Sequence, residues 1–256
     1  MNTIAIEPIP AFADNYIWLL TQGDRAAVVD PGDAAPVLDA LRARQLRLAA
    51  ILVTHHHGDH VGGVPALATP GVPVYGPAGE TIPGRTHALV EGDAIEVLGT
   101  EFQVLDVPGH TGGHIAYYAR DMQALFCGDT LFAAGCGRLF EGTPAQMVGS
   151  LAKLAALPPA TRVYCAHEYT LANLRFARAV EPDNAALAAR SERCAALRAS
   201  GTPTVPSTLA EELATNPFLR CEVAAVRAAA ERIDAGTAAG PVATFAALRA
   251  WKNRFS

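Results

Sequence analysis

Four histidines and an aspartate fall within seven residues in the stretch THHHGDH, Thr54 to His60. Imidazoles with one carboxylate are the ligand set of zinc, iron(II) or manganese, and such ions activate water for hydrolysis. A lone histidine on a loop is more often a local hydrogen-bonder, but this density, followed at once by glycines, points to metal binding. Backbone conformation decides whether the side chains can converge. As a helix, the segment would turn His55 and His57 to roughly opposite sides. As a strand it would spread His55, His57 and Asp59 over about 13 Å, far beyond a coordination sphere of about 2 Å radius. A tight loop is therefore expected. The strand "AAILVT" leads into it, and "VGGVPALA" leads out as a helix whose glycines permit close packing. Loops at the carboxyl ends of strands are the usual site positions of layered α/β folds.

Three other segments present ligand types just after an expected strand: "DVPGHTGGH" (Asp106 to His114), "FCGDTLF" (Phe126 to Phe132) and "VYCAHEY" (Val163 to Tyr169). Each alone is weak, because a polar residue after a strand is usually a cap. Taking one ligand type from each strand end, they add two histidines and an aspartate.

The elements that must position these residues follow from periodicity. "IWLL" and "AAVVDPG" read as strands joined by the "TQGDR" turn, "PVLDALRARQL" as a helix, and "AAILVT" as a strand buried on both faces. Further strands are expected at "PVYG", "AIEVLG", "EFQVLDVPG", "HIAYYAR", "ALFCGD" and "TRVYCAHE". "GTPAQMVGSLAKLAAL" is a helix capped by Thr143 with Pro144 in its first turn. From about Thr170 the texture changes to alanine-rich helical segments separated by breaks such as "GTPTVPS", so a mixed α/β part precedes an all-helical tail.

Composition narrows the function classes. Half of the 256 residues are hydrophobic and 18% are charged, enough for a substantial core. A net charge of −5 argues against a nucleic-acid partner. No apolar run is long enough to span a bilayer, and "MNTIAIEPIPAF" lacks the basic start and apolar run of a signal peptide. Five cysteines with no C-x-x-C pair are expected to be reduced and buried, which suits the cytoplasm.

The succession T-H-x-H-x-D-H, a glycine-flanked histidine, "GDTLF" and a late histidine resembles the metal-binding pattern of the metallo-β-lactamase superfamily. "GDTLFAAGCGRLFEGT", "AHEYT", "NLRFARAVEPDN", "NPFLR" and "LRAWKNRF" narrow the resemblance to the glyoxalase II (hydroxyacylglutathione hydrolase) family over almost the full length. The resemblance implies a four-layer αβ/βα sandwich over residues 1–169 and a helical substrate-binding domain over 170–256. It implies two divalent ions, zinc being the expected metal with iron or manganese also accepted. His55, His57 and His110 would hold the first ion, Asp59, His60 and His167 the second, and Asp129 would bridge them, leaving His56 outside the set. With a bridging hydroxide, Asp59 and Asp129 leave the core at about +1 by formal count. These two aspartates would be the catalytic carboxylates.

The implied substrate is S-(2-hydroxyacyl)glutathione, with S-D-lactoylglutathione as leading case and glutathione and D-lactate as products, the second step of methylglyoxal detoxification. The implied state is a cytoplasmic monomer. A thiolate leaves without a strong general acid, so no serine or cysteine nucleophile is needed, and Cys136 in "GCG" reads as a turn residue. Arg249 and Lys252, three apart on one helix face, match the family's glutathione-binding positions, although basic residues near a helix end also offset its dipole. Arg138 and Tyr169 complete the implied substrate contacts. Phe140 stands where many relatives have tyrosine, which removes one hydrogen-bond donor. Asp30 in "VVDPG" could orient a histidine or simply form a turn. Phosphodiester or lactam hydrolysis, or persulfide oxidation at one iron, are the alternatives on the same fold. A binding protein that has lost catalysis is disfavoured because all seven ligand positions are filled.

Overall fold

A computed structural model describes residues 4–234 and 240–255, so the first three residues of "MNTIAIEPIPAF" lie outside it. The chain divides into two units, Met1–Asp106 with Gly112–Gly128, and Val107–Thr111 with Asp129–Ser256.

In the first unit, β1 (Ala5–Ala11), β2 (Asn15–Gln22), β3 (Arg25–Val29), β4 (Arg47–Leu52), β5 (Val74–Pro77) and β6 (His87–Leu89) form one sheet in sequential order. The first three strands are antiparallel and β3 through β6 are parallel. Helix α1 (Ala34–Ala43) joins the parallel pair β3 and β4. Asp33 starts it by accepting a hydrogen bond from the Ala35 N–H at 2.9 Å. Val37 and Leu41, one turn apart, then face a core with Ile17, Leu19, Val28 and Ile51. Each such side chain, when fully buried, contributes roughly 1.5–3 kcal/mol. Sequence patterning misses β1 because Pro8 and Pro10 interrupt it; the strand pairs only with β2, at a sheet edge where proline is tolerated. Burial of β4 on both faces holds for its carboxyl half, Ala50 to Leu52, which ends at the histidine cluster.

The cluster itself departs from a pure loop. Thr54 to His57 is irregular, but Gly58–Val61 forms one helical turn, α2, so Asp59 and His60 are helical residues. The helix expected over "VGGVPALA" is broken, with α3 covering Val64–Leu67. The break follows from close backbone packing. A Cβ on Gly62 would meet the Gly32 carbonyl oxygen at 2.6 Å, one on Gly63 would meet Pro31 O at 2.6 Å, and one on Gly32 would lie 1.8 Å from Asp59 O. The "DPG" turn after β3 therefore presses directly on the helical turn at Gly58–Val61. β7 (Ala94–Val97), β8 (Thr100–Asp106), β9 (Ile115–Ala119) and β10 (Ala124–Gly128) complete the unit as an antiparallel meander.

After Val107–Thr111, the second unit continues with a hairpin of β11 (Leu131–Phe132) and β12 (Gly135–Cys136), followed by α4 (Pro144–Ala155) and β13 (Arg162–Cys165). Thr143 and Gln146 form a reciprocal capping box at α4, with Pro144 in the first turn as expected. Beyond lie α5 (Thr170–Val180), α6 (Ala185–Ala199), β14 (Ser207–Thr208), α7 (Leu209–Thr215), α8 (Ala224–Ile233) and α9 (Pro241–Asn253). The tail is thus not purely helical: Ser207 and Thr208 pair antiparallel with Val163 and Arg162. Leu174, Ala177, Leu187 and Cys194 pack α5 against α6. Among the described residues no helix is long and apolar enough to cross a membrane.

Candidate metal centre

In the first unit, the irregular stretch after β4 aims imidazoles at one another. His55 Nε2 lies 3.1 Å from His57 Nδ1, and the His55 and His60 ring centroids are 4.0 Å apart. Asp30 organises this group from the end of β3. Its carboxylate accepts from the Thr54 N–H at 2.7 Å and the Thr54 hydroxyl at 2.8 Å. The other face of that hydroxyl is 3.1 Å from His55 Nδ1, so Thr54 passes the carboxylate's influence to the ring. Asp30 Oδ2 also lies 3.1 Å from His60 Nδ1. The two ring nitrogens of His60 thus each face a carboxylate, Nδ1 that of Asp30 and Nε2 that of Asp59, whose Oδ2 is 3.6 Å away. The carboxylate of Asp59 is fixed by Asn15, whose amide donates to Oδ2 at 3.0 Å. Asp30 thus has the orienting contact, held in a left-handed backbone conformation at φ 52°.

His56 points into a different set of contacts. Its Nδ1 lies 2.9 Å from Glu80 Oε2, and its N–H donates to the same oxygen at 2.6 Å. Glu80 Oε1 accepts from the Gly113 N–H at 3.0 Å, so one buried carboxylate ties the histidine loop to the "TGGH" loop. His114, from that loop, stacks on His55 with centroids 4.5 Å apart.

In the second unit, Asp129 stands between two imidazoles. Its Oδ2 is 3.3 Å from His110 Nε2, and its Oδ1 is 3.3 Å from His167 Nε2. All three side chains are buried. His110 Nδ1 lies 2.8 Å from the Arg138 carbonyl, which can only accept, so Nδ1 carries a proton and, in the neutral ring, Nε2 presents a lone pair. A lone pair facing a buried carboxylate oxygen is repulsive unless a cation lies between them. The donor chemistry therefore fits a bound metal, with each Asp129 oxygen directed at a different histidine.

The expected substrate residues also lie in the second unit. Tyr169 stacks on His167 with centroids 4.6 Å apart and planes 4° from parallel. Arg138 is exposed, and Phe140 places its ring edge-on to His110 at 5.3 Å. Arg249 is buried; its Nη1 donates to Cys136 O at 2.8 Å, and its guanidinium lies over Phe218. Lys252 Nζ donates to Ala172 O at 3.1 Å and lies 5.5 Å from the Phe176 ring centroid. Burial, helped by Arg249, Arg175 and Arg138, pulls the Lys252 pKa down to about 8. Burial pushes the Cys136 thiol up to about 11, so it is no nucleophile at neutral pH. Asn15, Thr54, Glu80 and His114 escaped the sequence reading as supports, because each acts on a residue distant in the chain and no local spacing marks it.

Two family descriptions match the chain: "Metallo-beta-lactamase superfamily" over residues 12–167 and "Hydroxyacylglutathione hydrolase C-terminus" over 168–255. A hydroxyacylglutathione hydrolase of Alkalilimnicola ehrlichii is 64% identical, with 97% of this chain and 98% of the relative aligned. One from Cupriavidus taiwanensis is 60% identical over 98% of this chain and 99% of its own length. Among solved structures, TTHA1623 in a di-iron-bound form is 34% identical, covers 63% of this chain and 91% of its own, and superposes with a TM-score of 0.54. The fold is accordingly the αβ/βα sandwich of that superfamily with a helical carboxyl-terminal region, and its His/Asp clusters are those of a dinuclear metal site. By sequence, by fold and by the ligands each unit gathers, this chain belongs to the hydroxyacylglutathione hydrolase family of the metallo-β-lactamase superfamily.

Proposed function

We infer that this chain is a metal-dependent thioester hydrolase that cleaves S-(2-hydroxyacyl)glutathione, S-D-lactoylglutathione above all, into glutathione and a 2-hydroxy acid. The relatives' shared name supports the substrate. The observation that carries the chemistry is Asp129, a buried carboxylate with each oxygen turned to a different imidazole.

His55, His57 and His110 would hold one ion and Asp59, His60 and His167 the other, with Asp129 shared by both. This assignment rests on the sequence pattern, and the contacts of Asp30 with His60 and of the Arg138 carbonyl with His110 support it. When bound, two divalent ions supply Lewis-acid charge that polarises the thioester carbonyl and makes water nucleophilic near neutral pH. Zinc suits the nitrogen and oxygen ligands; iron, present as a pair in the related TTHA1623, is the competing ion. Asp59 and Asp129 offset the ions' charge, and Asn15 keeps the Asp59 carboxylate oriented.

Recognition of glutathione falls to Arg138, Tyr169, Arg249 and Lys252, since the tripeptide carries carboxylates at both ends. Arg249 Nε is buried and has no hydrogen-bond partner among the described residues, so that donor is unsatisfied. Phe140 offers ring surface but no hydroxyl, so it contributes packing in place of a hydrogen bond. The boundaries of the two family matches support a division into a catalytic domain, 1–169, and a substrate domain, 170–256. Five buried cysteines, none in a disulfide, support a cytoplasmic setting, and we take the chain as a monomer.

The test is hydrolysis of S-D-lactoylglutathione by purified protein before and after a chelator removes its metals. Turnover that disappears and returns on adding zinc supports the reading. A protein that holds two metals yet leaves this thioester intact sinks it.

A further inference from the structure

The hairpin that follows Asp129 is held by side chains from far downstream. Ala134, at its tip, has φ 54°, a left-handed conformation unfavourable for a residue with a Cβ. Its N–H donates to Glu212 Oε2 at 2.8 Å. Asn173 donates to Ala133 O at 3.0 Å, and Asn216 donates to Phe132 O at 3.2 Å and to Gly135 O at 2.9 Å. Arg249 reaches Cys136 O. Glu212 is fully buried and is balanced by Arg190, whose Nη2 lies 2.5 Å from Oε1 while Nη1 donates to Thr215 Oγ1 at 2.6 Å.

Both feet of this hairpin belong to the metal-ligand apparatus. Asp129 precedes β11, and Arg138, whose carbonyl fixes the His110 tautomer, follows β12. The Gly137 N–H donates to Thr130 O at 3.1 Å and closes the neck. A Cβ on Gly137 would meet Asp129 O at 2.0 Å and His110 Nδ1 at 3.1 Å, so the two feet and the His110 ring are packed without slack. A change in the hairpin's shape is therefore passed on to Asp129 and His110.

We propose that Glu212, Asn216 and Asn173 are positioning residues for the reaction, a buried template that imposes the shape of the 131–136 hairpin and thereby the His110–Asp129 geometry. Stability alone is a poor reason for the arrangement, because a buried ion pair is often no more stabilising than apolar residues of similar volume. What the pair achieves is a fixed acceptor for one strained backbone N–H. The proposal rests on Asp129 being a metal ligand, as read above.

Zinc affinity by chelator competition, together with kcat and KM for S-D-lactoylglutathione, tests it. Asn173→Ala removes one tie without stranding a charge, and Glu212→Ala removes the acceptor for Ala134. Each should weaken zinc binding about 10–100-fold, the range seen when an outer support of a ligand is lost, and lower kcat with KM within about twofold. Ala134→Gly placed on Glu212→Ala should recover part of both losses, since glycine adopts the left-handed turn unaided. Asp129→Ala, measured alongside, separates the claims. If it loses zinc while folded Asn173→Ala keeps wild-type affinity and kcat, the template is overturned and the ligand assignment stands; a lowered Tm with unchanged affinity counts the same way. If Asp129→Ala itself keeps its zinc, the assignment falls and the template falls with it.

Discussion

Asp129 and Asp30 are both buried acids that face histidines, yet they call for different outcomes on substitution. Asp129→Ala removes the carboxylate shared between His110 and His167, so metal content and turnover should fall together, as metal analysis and the thioester assay will show. Asp30 lies against Thr54 and His60, the latter a proposed ligand. Asp30→Asn keeps its shape and loses its charge, and should weaken zinc about 10–100-fold in chelator competition without abolishing the site. Lys252 gives a prediction with a sign. Its proton leaves the folded chain near pH 8 but stays on the unfolded chain until about 10.5. The cation available for a substrate carboxylate is lost as pH passes 8, so KM should rise above that point. Over the same window the unfolded state binds more protons, so the contribution of Lys252 to stability rises with pH. Lys252→Met should flatten both trends, read as KM and Tm against pH; unchanged profiles would return the residue to a helix-end role.

At the scale of elements, the glycines around the ligand turn divide into two kinds. A Cβ on Gly58 meets nothing within 4 Å, whereas one on Gly62 would lie 2.6 Å from Gly32 O and 2.8 Å from Gly58 O. Gly58→Ala should leave stability nearly unchanged, and Gly62→Ala should cost about 1–3 kcal/mol through overpacking, as denaturant midpoints will report. The sequence made this neighbourhood legible up to a point. Histidine density, the strand ahead of it and the glycines behind it pointed to a strand-end ligand site, because ligand type and strand period are local properties. The helical turn at Gly58 was not legible, because the contact with Gly32 that shapes it comes from a separate element. β14 and the β11–β12 hairpin escaped for a related reason: two-residue strands have no period, and their form depends on partners such as Asn216 and Glu212. The helices of the tail, though not β14 between them, were readable, since alanine-rich amphipathic runs between proline and glycine breaks need no distant partner to declare themselves.

Taken as a whole, the chain spreads its seven proposed ligands over both units, four in the first and three in the second. Metals bound only by the folded chain stabilise it by mass action, about 2.7 kcal/mol for a site at a hundredfold excess over Kd. Chelation should therefore lower Tm, and zinc should restore it in a concentration-dependent way, measured by calorimetry. The hairpin after Asp129 has a consequence for how the chain is made. Ala134 and Glu212 are 78 residues apart, and Cys136 and Arg249 are 113 apart. At translation rates of about 5–20 residues per second, Asp129 leaves the ribosome on the order of 5–20 s before the last of the side chains that shape its surroundings exists. Nascent chains halted after His167 would carry every proposed ligand and still lack the side chains that hold the 131–136 hairpin. Tight metal uptake should thus be a late, essentially post-synthetic event, one that ribosome-bound chains of increasing length would date.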